Sequence, residues 1–129
     1  MRALLGITLL TAAFIIIGLH SASAGDDGYQ HRNLMIGSKE RSYDIFTPRS
    51  LGANTLSPLV IMLHGGGGNA DSAKKISRFS ELAAQEGFIV AYPNGSGRRE
   101  DKILTWNAEH CCGYAMKNNI DDVGFISAL

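Results

Sequence analysis

The chain has 129 residues, 45% of them apolar and 19% charged. That length allows one domain at most, and the composition excludes a disordered or collagen-like chain. Twelve basic residues balance twelve acidic ones, so the clustered positive charge that nucleic-acid binding needs is missing, and the pairs Lys74-Lys75 and Arg98-Arg99 read as solvated faces.

Arg2 gives a positive start, Ala3 to Leu19 is an apolar run, and Ala22-Ser23-Ala24 supplies a small-x-small cleavage pattern. Residues 1–24 are therefore expected to be a signal peptide cleaved near Ala24, with a mature chain of residues 25–129 that is secreted, extracellular or periplasmic. A membrane anchor is the rival reading. The run sits at the short edge of the ~17–25 residues a span needs, and small residues rather than a basic stop follow it. After cleavage no membrane association is expected.

Residues 25–30 are polar and expected to be loose. Asn33–Ile36 and Glu40–Phe46 read as strands, and Gly37-Ser38 between them suits a two-residue hairpin turn, where Gly supplies the positive φ of a type II′ turn. Residues 48–58 form a loop. Leu59–Leu63 is an unalternating apolar run, as expected of a strand covered on both faces. Asn69 and Asp71 are good N-caps for one helix reaching about Glu86, with Ile76, Phe79, Leu82 and Ala83 at helical spacing and Gly87 as terminator. Phe88–Tyr92 is a second buried strand, so strand, glycine loop, helix and strand make a βαβ unit with an expected right-handed crossover. Residues 93–119 form a long connection, a length often tied to function. Asp121 or Asp122 then caps a helix with apolar Val123, Phe125, Ile126 and Leu129.

The chemistry concentrates at Leu63-His64-Gly65-Gly66-Gly67-Gly68-Asn69. Four glycines at a helix entry carry an entropic cost, which two uses would justify: positive φ, and close approach of backbone N–H groups to a bound oxygen. N–H groups aimed at developing negative charge form an oxyanion hole, and in α/β-hydrolases a His-Gly-Gly-Gly loop after the third strand supplies one such donor. A flexible connection is the structural alternative. His64 is expected to brace the loop rather than act as a base, because the base comes late in such chains.

Other sites are weaker. Gly65–Ala70 fits the G-x-G-x-x-A dinucleotide pattern, but the second strand ends Ala91-Tyr92-Pro93-Asn94 without the required acid. No Gly-Lys-Ser/Thr follows the glycines, which excludes a Walker A loop. Ser96 lacks the outer glycines of a G-x-S-x-G elbow and reads as a turn residue. Asn94-Gly95-Ser96 is a glycosylation sequon, usable only in a eukaryotic secretory route. The four histidines show no metal-ligand spacing with the cysteines, so no metal site is expected. Cys111 and Cys112 are adjacent. Across a trans bond their Cα atoms would lie ~3.8 Å apart, against ~4.4–6.8 Å for most disulfides, so a vicinal bridge would be strained, and two free thiols or partners outside this chain are the alternatives; the sequence leaves their state open.

Arg41–Pro48, Pro58–Gly65, Tyr92–Gly95, Trp106-Asn107, Cys111–Gly113 and Asp121–Phe125 occur in an order that resembles the polyhydroxybutyrate depolymerase and feruloyl esterase family of secreted α/β-hydrolase serine esterases. The resemblance runs from Arg41 to Leu129. It implies an α/β fold, here an incomplete α/β-hydrolase: an N-terminal hairpin, then βαβ and the start of the next helix, with the sheet ending before the nucleophile elbow. It implies an oxyanion hole at Gly66 and Gly67, supported by His64 and Gly65, and a substrate cleft lined by Trp106 and Asn107. Asp121 and Asp122 resemble the family's helix start and are expected to cap.

The family's serine, acid and histidine come later than residue 129. The expectation is thus the N-terminal part of a carboxylic-ester hydrolase that is inactive alone. It would act on a polyester or a feruloylated or acetylated polysaccharide and would need no metal or organic cofactor. A non-catalytic exported binding module on a hydrolase scaffold is the alternative.

Overall fold

The computed structural model describes residues 28–52 and 55–129. The expected signal segment and its cleavage point at Ala24 lie outside the described residues. Four strands form one mixed sheet: β1 (Tyr29–Ile36), β2 (Lys39–Phe46), β3 (Leu59–Ile61) and β4 (Ile89–Pro93), in the order β1-β2-β4-β3. β1 and β2 are antiparallel, as are β2 and β4, whereas β3 and β4 are parallel. The expected α/β class is present, with four helices besides the sheet among the described residues.

The hairpin turn is local chemistry. Ile36 pairs with Lys39, leaving Gly37 and Ser38 as the loop, and Gly37 has φ +59° while Ser38 is not among the positive-φ residues. Positive φ at the first central residue only is the type II′ pattern, which follows the strand twist. β1 starts earlier than its polar sequence suggests, at Tyr29. Pairing with β2 along the whole length supplies what side-chain pattern alone does not, and the Tyr29 ring packs 4.9 Å from that of Phe46.

The crossover between β3 and β4 is two helices rather than one. α1 (Ala70–Ser77) and α2 (Phe79–Glu86) meet at Arg78, which has φ 55° and ψ 23° and donates its N–H to Lys74 O. A left-handed non-glycine residue costs ~1–2 kcal/mol. Both helices pack on β4, and each does so with small residues: Ala70 and Ala73 from α1, Ser80 and Ala83 from α2. Ile76, expected on the apolar face, is 84% exposed, and Leu82 is 43% exposed. The stripe that faces the sheet consists of the small residues, because they allow close approach to Val90 and Tyr92.

β4 lies inside the strand order and is buried from Val90 to Pro93, while β3 lies at the end of the strand order among the described residues. Residues 94–121 follow as an irregular segment. It contains bridges Ser96–Thr105 and Arg99–Lys102 and the short helix α3 (Gly113–Lys117), and it leads to α4 (Asp122–Ala128). Phe125 of α4 is fully buried, but Val123, expected with it, is 77% exposed. On β2, Asp44 bonds Lys74 of α1, so Arg41, of opposite parity, points to the other face, where α4 lies.

One buried polar pair sits inside the α1/α2 core: the Ser80 and Tyr92 hydroxyls, 2.7 Å apart, with Tyr92 fully buried. Burial raises the Tyr92 pKa from its ordinary 10.0, although the Ser80 hydrogen bond opposes this. Ionisation is therefore harder in the folded state than in the unfolded chain. The tyrosine contributes stability that is complete below pH 10.0 and falls as pH rises through the folded value. Tyr92→Phe should flatten that alkaline loss in equilibrium denaturation followed by circular dichroism. At pH 7 the same variant should be destabilised by about 1–2 kcal/mol through the orphaned Ser80 hydroxyl.

Candidate functional site

β3 ends at Ile61, and the chain passes through Met62 and Leu63 into His64 and the glycine run. Asn69 closes the run as the N-cap of α1. Its Oδ1 accepts from Ser72 N at 2.9 Å, and Ser72 Oγ accepts from Asn69 N at 2.9 Å, a reciprocal capping box. The run is thus anchored at a strand's carboxyl end and at a helix entry.

Within it the four glycines differ. Gly67, with φ +84°, donates its N–H to Leu104 O at 2.8 Å, and Gly68 O accepts from Leu104 N at 3.3 Å. The loop is paired across to the 96–105 segment. The expected donor Gly67 is therefore corrected: its amide is spent within the protein, because two-way pairing with Leu104 holds it there. Gly68 donates to Gly65 O at 3.0 Å and is closely packed, since an added Cβ would come 2.6 Å from Ser72 Oγ. Gly66 is exposed, its N–H has no acceptor among the described residues, and a Cβ there would meet nothing within 4 Å. Gly65 is likewise exposed and open.

His64 is 4% exposed and uses both ring nitrogens. Nδ1 lies 2.8 Å from Gly65 O, and Nε2 accepts the Gly95 N–H at 3.0 Å. Accepting at Nε2 assigns the proton to Nδ1, where it is donated to Gly65 O. The ring therefore ties the start of the glycine run to the turn after β4. Trp106 covers it: the two rings are 4.8 Å apart and tilted, and the indole Nε1–H donates to His64 O at 3.0 Å.

Asn107, expected with Trp106 in a cleft, does other work. Its backbone N–H donates to Asp122 Oδ2 at 2.6 Å, and its side-chain amide donates to Ile120 O at 3.0 Å. Asp121 caps α4 by accepting from Gly124 N, as expected, whereas Asp122 is 6% exposed and bonded 2.7 Å from Arg41 Nη2. The same guanidinium donates to Asn94 O and lies 4.3 Å over the Phe125 ring. Sequence reasoning passed over this pair. A carboxylate just inside a helix start looks like a cap, and nothing local reveals a partner 81 positions away.

Asn94 is spent in the same network. Its Oδ1 accepts from Ala70 N at 2.8 Å and its Nδ2 donates to Ser42 Oγ at 3.0 Å. The sequon nitrogen thus already holds a bond. Cys111 and Cys112, whose state the sequence leaves open, are paired with each other as a vicinal disulfide. Among the described residues no cluster of three or more His, Cys, Asp or Glu could hold a metal ion, and no helix is long and apolar enough to cross a membrane.

Removing one member of a buried ion pair leaves an uncompensated charge. Asp122→Asn or Arg41→Met should each lower stability by about 3–5 kcal/mol in urea titration, and the double variant Arg41→Met/Asp122→Leu should lose much less than the sum.

A family model described as Esterase PHB depolymerase matches residues 41–124. The matched span starts at Arg41 and includes the glycine run, the turn at Asn94, Trp106 and Asp122. No curated protein matches the chain.

Proposed function

The chain belongs to the Esterase PHB depolymerase family, and from that premise we propose that it carries the oxyanion loop of a secreted serine carboxylic-ester hydrolase with an α/β-hydrolase fold. Membership makes it one of a family of esterase-type hydrolases whose substrate is an ester. The observation that carries the finer reading is the Gly66 N–H, exposed and without an acceptor among the described residues, at the carboxyl end of a parallel strand inside the matched span.

In such a reaction a serine oxygen adds to the ester carbonyl, and the carbonyl oxygen gains negative charge in the tetrahedral intermediate. A histidine accepts the serine proton and passes it to the leaving alcohol. A fixed amide stabilises the oxyanion because it is already oriented when the charge develops. Gly66 is the donor this chain offers, and His64 with Gly65 holds it against the turn at Gly95. Trp106 shields that brace from water. No G-x-S-x-G elbow occurs in the 129 residues, so the nucleophile of this mechanism is not among them. Residues 1–24 are read as the export signal and residues 25–129 as the hydrolase portion.

Alone, the chain is expected to resist fluorophosphonate labelling and to leave p-nitrophenyl butyrate intact. Complementation with the elbow-bearing C-terminal part of a family member should restore hydrolysis. In that complex Gly66→Pro, which deletes the N–H, should lower kcat by about 10²–10³. Gly66→Ala, which keeps the N–H in open space, should stay within a few-fold of the parent. Stoichiometric labelling of the chain alone, or equal activity of the Pro and Ala variants, would overturn the assignment.

A further inference from the structure

The two cysteines of the chain, Cys111 and Cys112, are consecutive and paired with each other. A disulfide stabilises a fold chiefly by closing a loop of the unfolded chain, and the effect grows with the length closed. A bridge between neighbours closes no loop of that kind. Its influence is local instead. The S–S bond completes a small ring that contains one peptide unit, and that unit is no longer free to rotate.

The enclosed unit makes two of the hydrogen bonds that hold the turn after Trp106. Cys112 N–H donates to Trp106 O at 3.2 Å, and Cys111 O accepts from Ala108 N–H at 2.6 Å. Trp106 in turn lies on His64 and donates its indole N–H to His64 O, while the His64 ring holds Gly65 O. A continuous set of contacts therefore joins the sulfur pair to the residue before Gly66. The positions flanking Trp106 have other anchors: Thr105 pairs with Ser96, and Asn107 with Asp122 and Ile120. Opening the ring thus loosens the seat of Trp106 and leaves the surrounding segment tied. Cys111 is the exposed member of the pair and Cys112 is half-buried, which makes Cys111 the point of attack for an external thiolate.

We propose that Cys111 and Cys112 form a reversible thiol–disulfide switch, opened by a dithiol reductant, that sets how firmly Trp106 holds the oxyanion loop. One thiolate of the dithiol attacks the Cys111 sulfur, and the S–S bond breaks with its electron pair leaving on Cys112. The second thiolate of the dithiol then displaces Cys111 from the mixed disulfide. The two protons given up by the dithiol end on Cys111 and Cys112, and the dithiol leaves as its own disulfide. The consequence for catalysis rests on the role proposed for Gly66, whereas the switch itself does not.

Dithiothreitol and the full chain test this. Isolated in air, the chain should show no thiol reactive to Ellman's reagent, and both cysteines should react after reduction. Acrylamide quenching of Trp106, the single tryptophan, should rise about twofold on reduction and return on reoxidation. The Gly66 amide resonance should shift and exchange its hydrogen several-fold faster, while that of Gly37 in the hairpin turn stays in place. Far-ultraviolet circular dichroism should not change. Cys111→Ser/Cys112→Ser should show the quenching of the reduced state with or without dithiothreitol. Two free thiols in the isolated chain would overturn the proposal, as would reduction that leaves Trp106 and Gly66 unaltered or that melts the whole sheet. In the complementation complex the double serine variant should lower kcat several-fold with little change in KM, and an unchanged kcat there would overturn the regulatory role. A complex that hydrolyses nothing, with the Trp106 and Gly66 responses intact, would count against the ester-hydrolase reading alone.

Discussion

A single buried ion pair organises the part of this protein where the chemistry is gathered. Arg41 from β2 and Asp122 from the start of α4 are 5% and 7% exposed at their side chains and 2.7 Å apart. Charges withdrawn from water that far must be paired, so each fixes the other's position. From that contact the constraint spreads by hydrogen bonds. Asp122 holds the Asn107 backbone, Arg41 holds the Asn94 carbonyl, and the Asn94 side chain holds the first turn of α1 and Ser42. The long segment from Asn94 to Asp121 buries few apolar side chains. Its path is set by this polar network and by Leu104, Ala115 and Ile120 beneath it.

The glycine run shows how such a network shapes a site. Four identical residues have four local environments, and only tertiary contacts distinguish them. Leu104 takes up Gly67 and Gly68 through paired backbone bonds, and the capping box of α1 crowds Gly68 further. Gly65 and Gly66 stay open to solvent. His64 anchors the open half at its N-terminal end, because both its nitrogens are occupied and Trp106 lies on its ring. A buried imidazole with both nitrogens bonded to backbone has no spare position for moving a substrate proton. Its contribution is rigidity at the residue before the exposed amides.

Features decided within a few residues were legible in the sequence. The Gly37-Ser38 turn, the Asn69 cap, the Gly87 terminator and the Asp121 cap all rest on contacts spanning three or four positions. The break at Arg78 was not legible. An uninterrupted helical period ran through it, and the turn is chosen by how two short helices seat small residues on β4. Ile76 and Val123 had the right spacing for a core face yet are exposed, since periodicity marks a stripe without saying what stands opposite it.

The order of motifs along the chain determined the family, and hydrophobic patterning with turn chemistry determined the α/β class and most elements. Both follow from short-range physics, in which a residue's neighbours in sequence are also its neighbours in space. Which glycine amides are left without a partner among the described residues, which aspartate pairs with Arg41 and where Asn107 points depend on residues brought together across the fold. Hydrogen-bond partners for buried polar groups are assigned only once the whole chain has packed, so tertiary structure alone decided them.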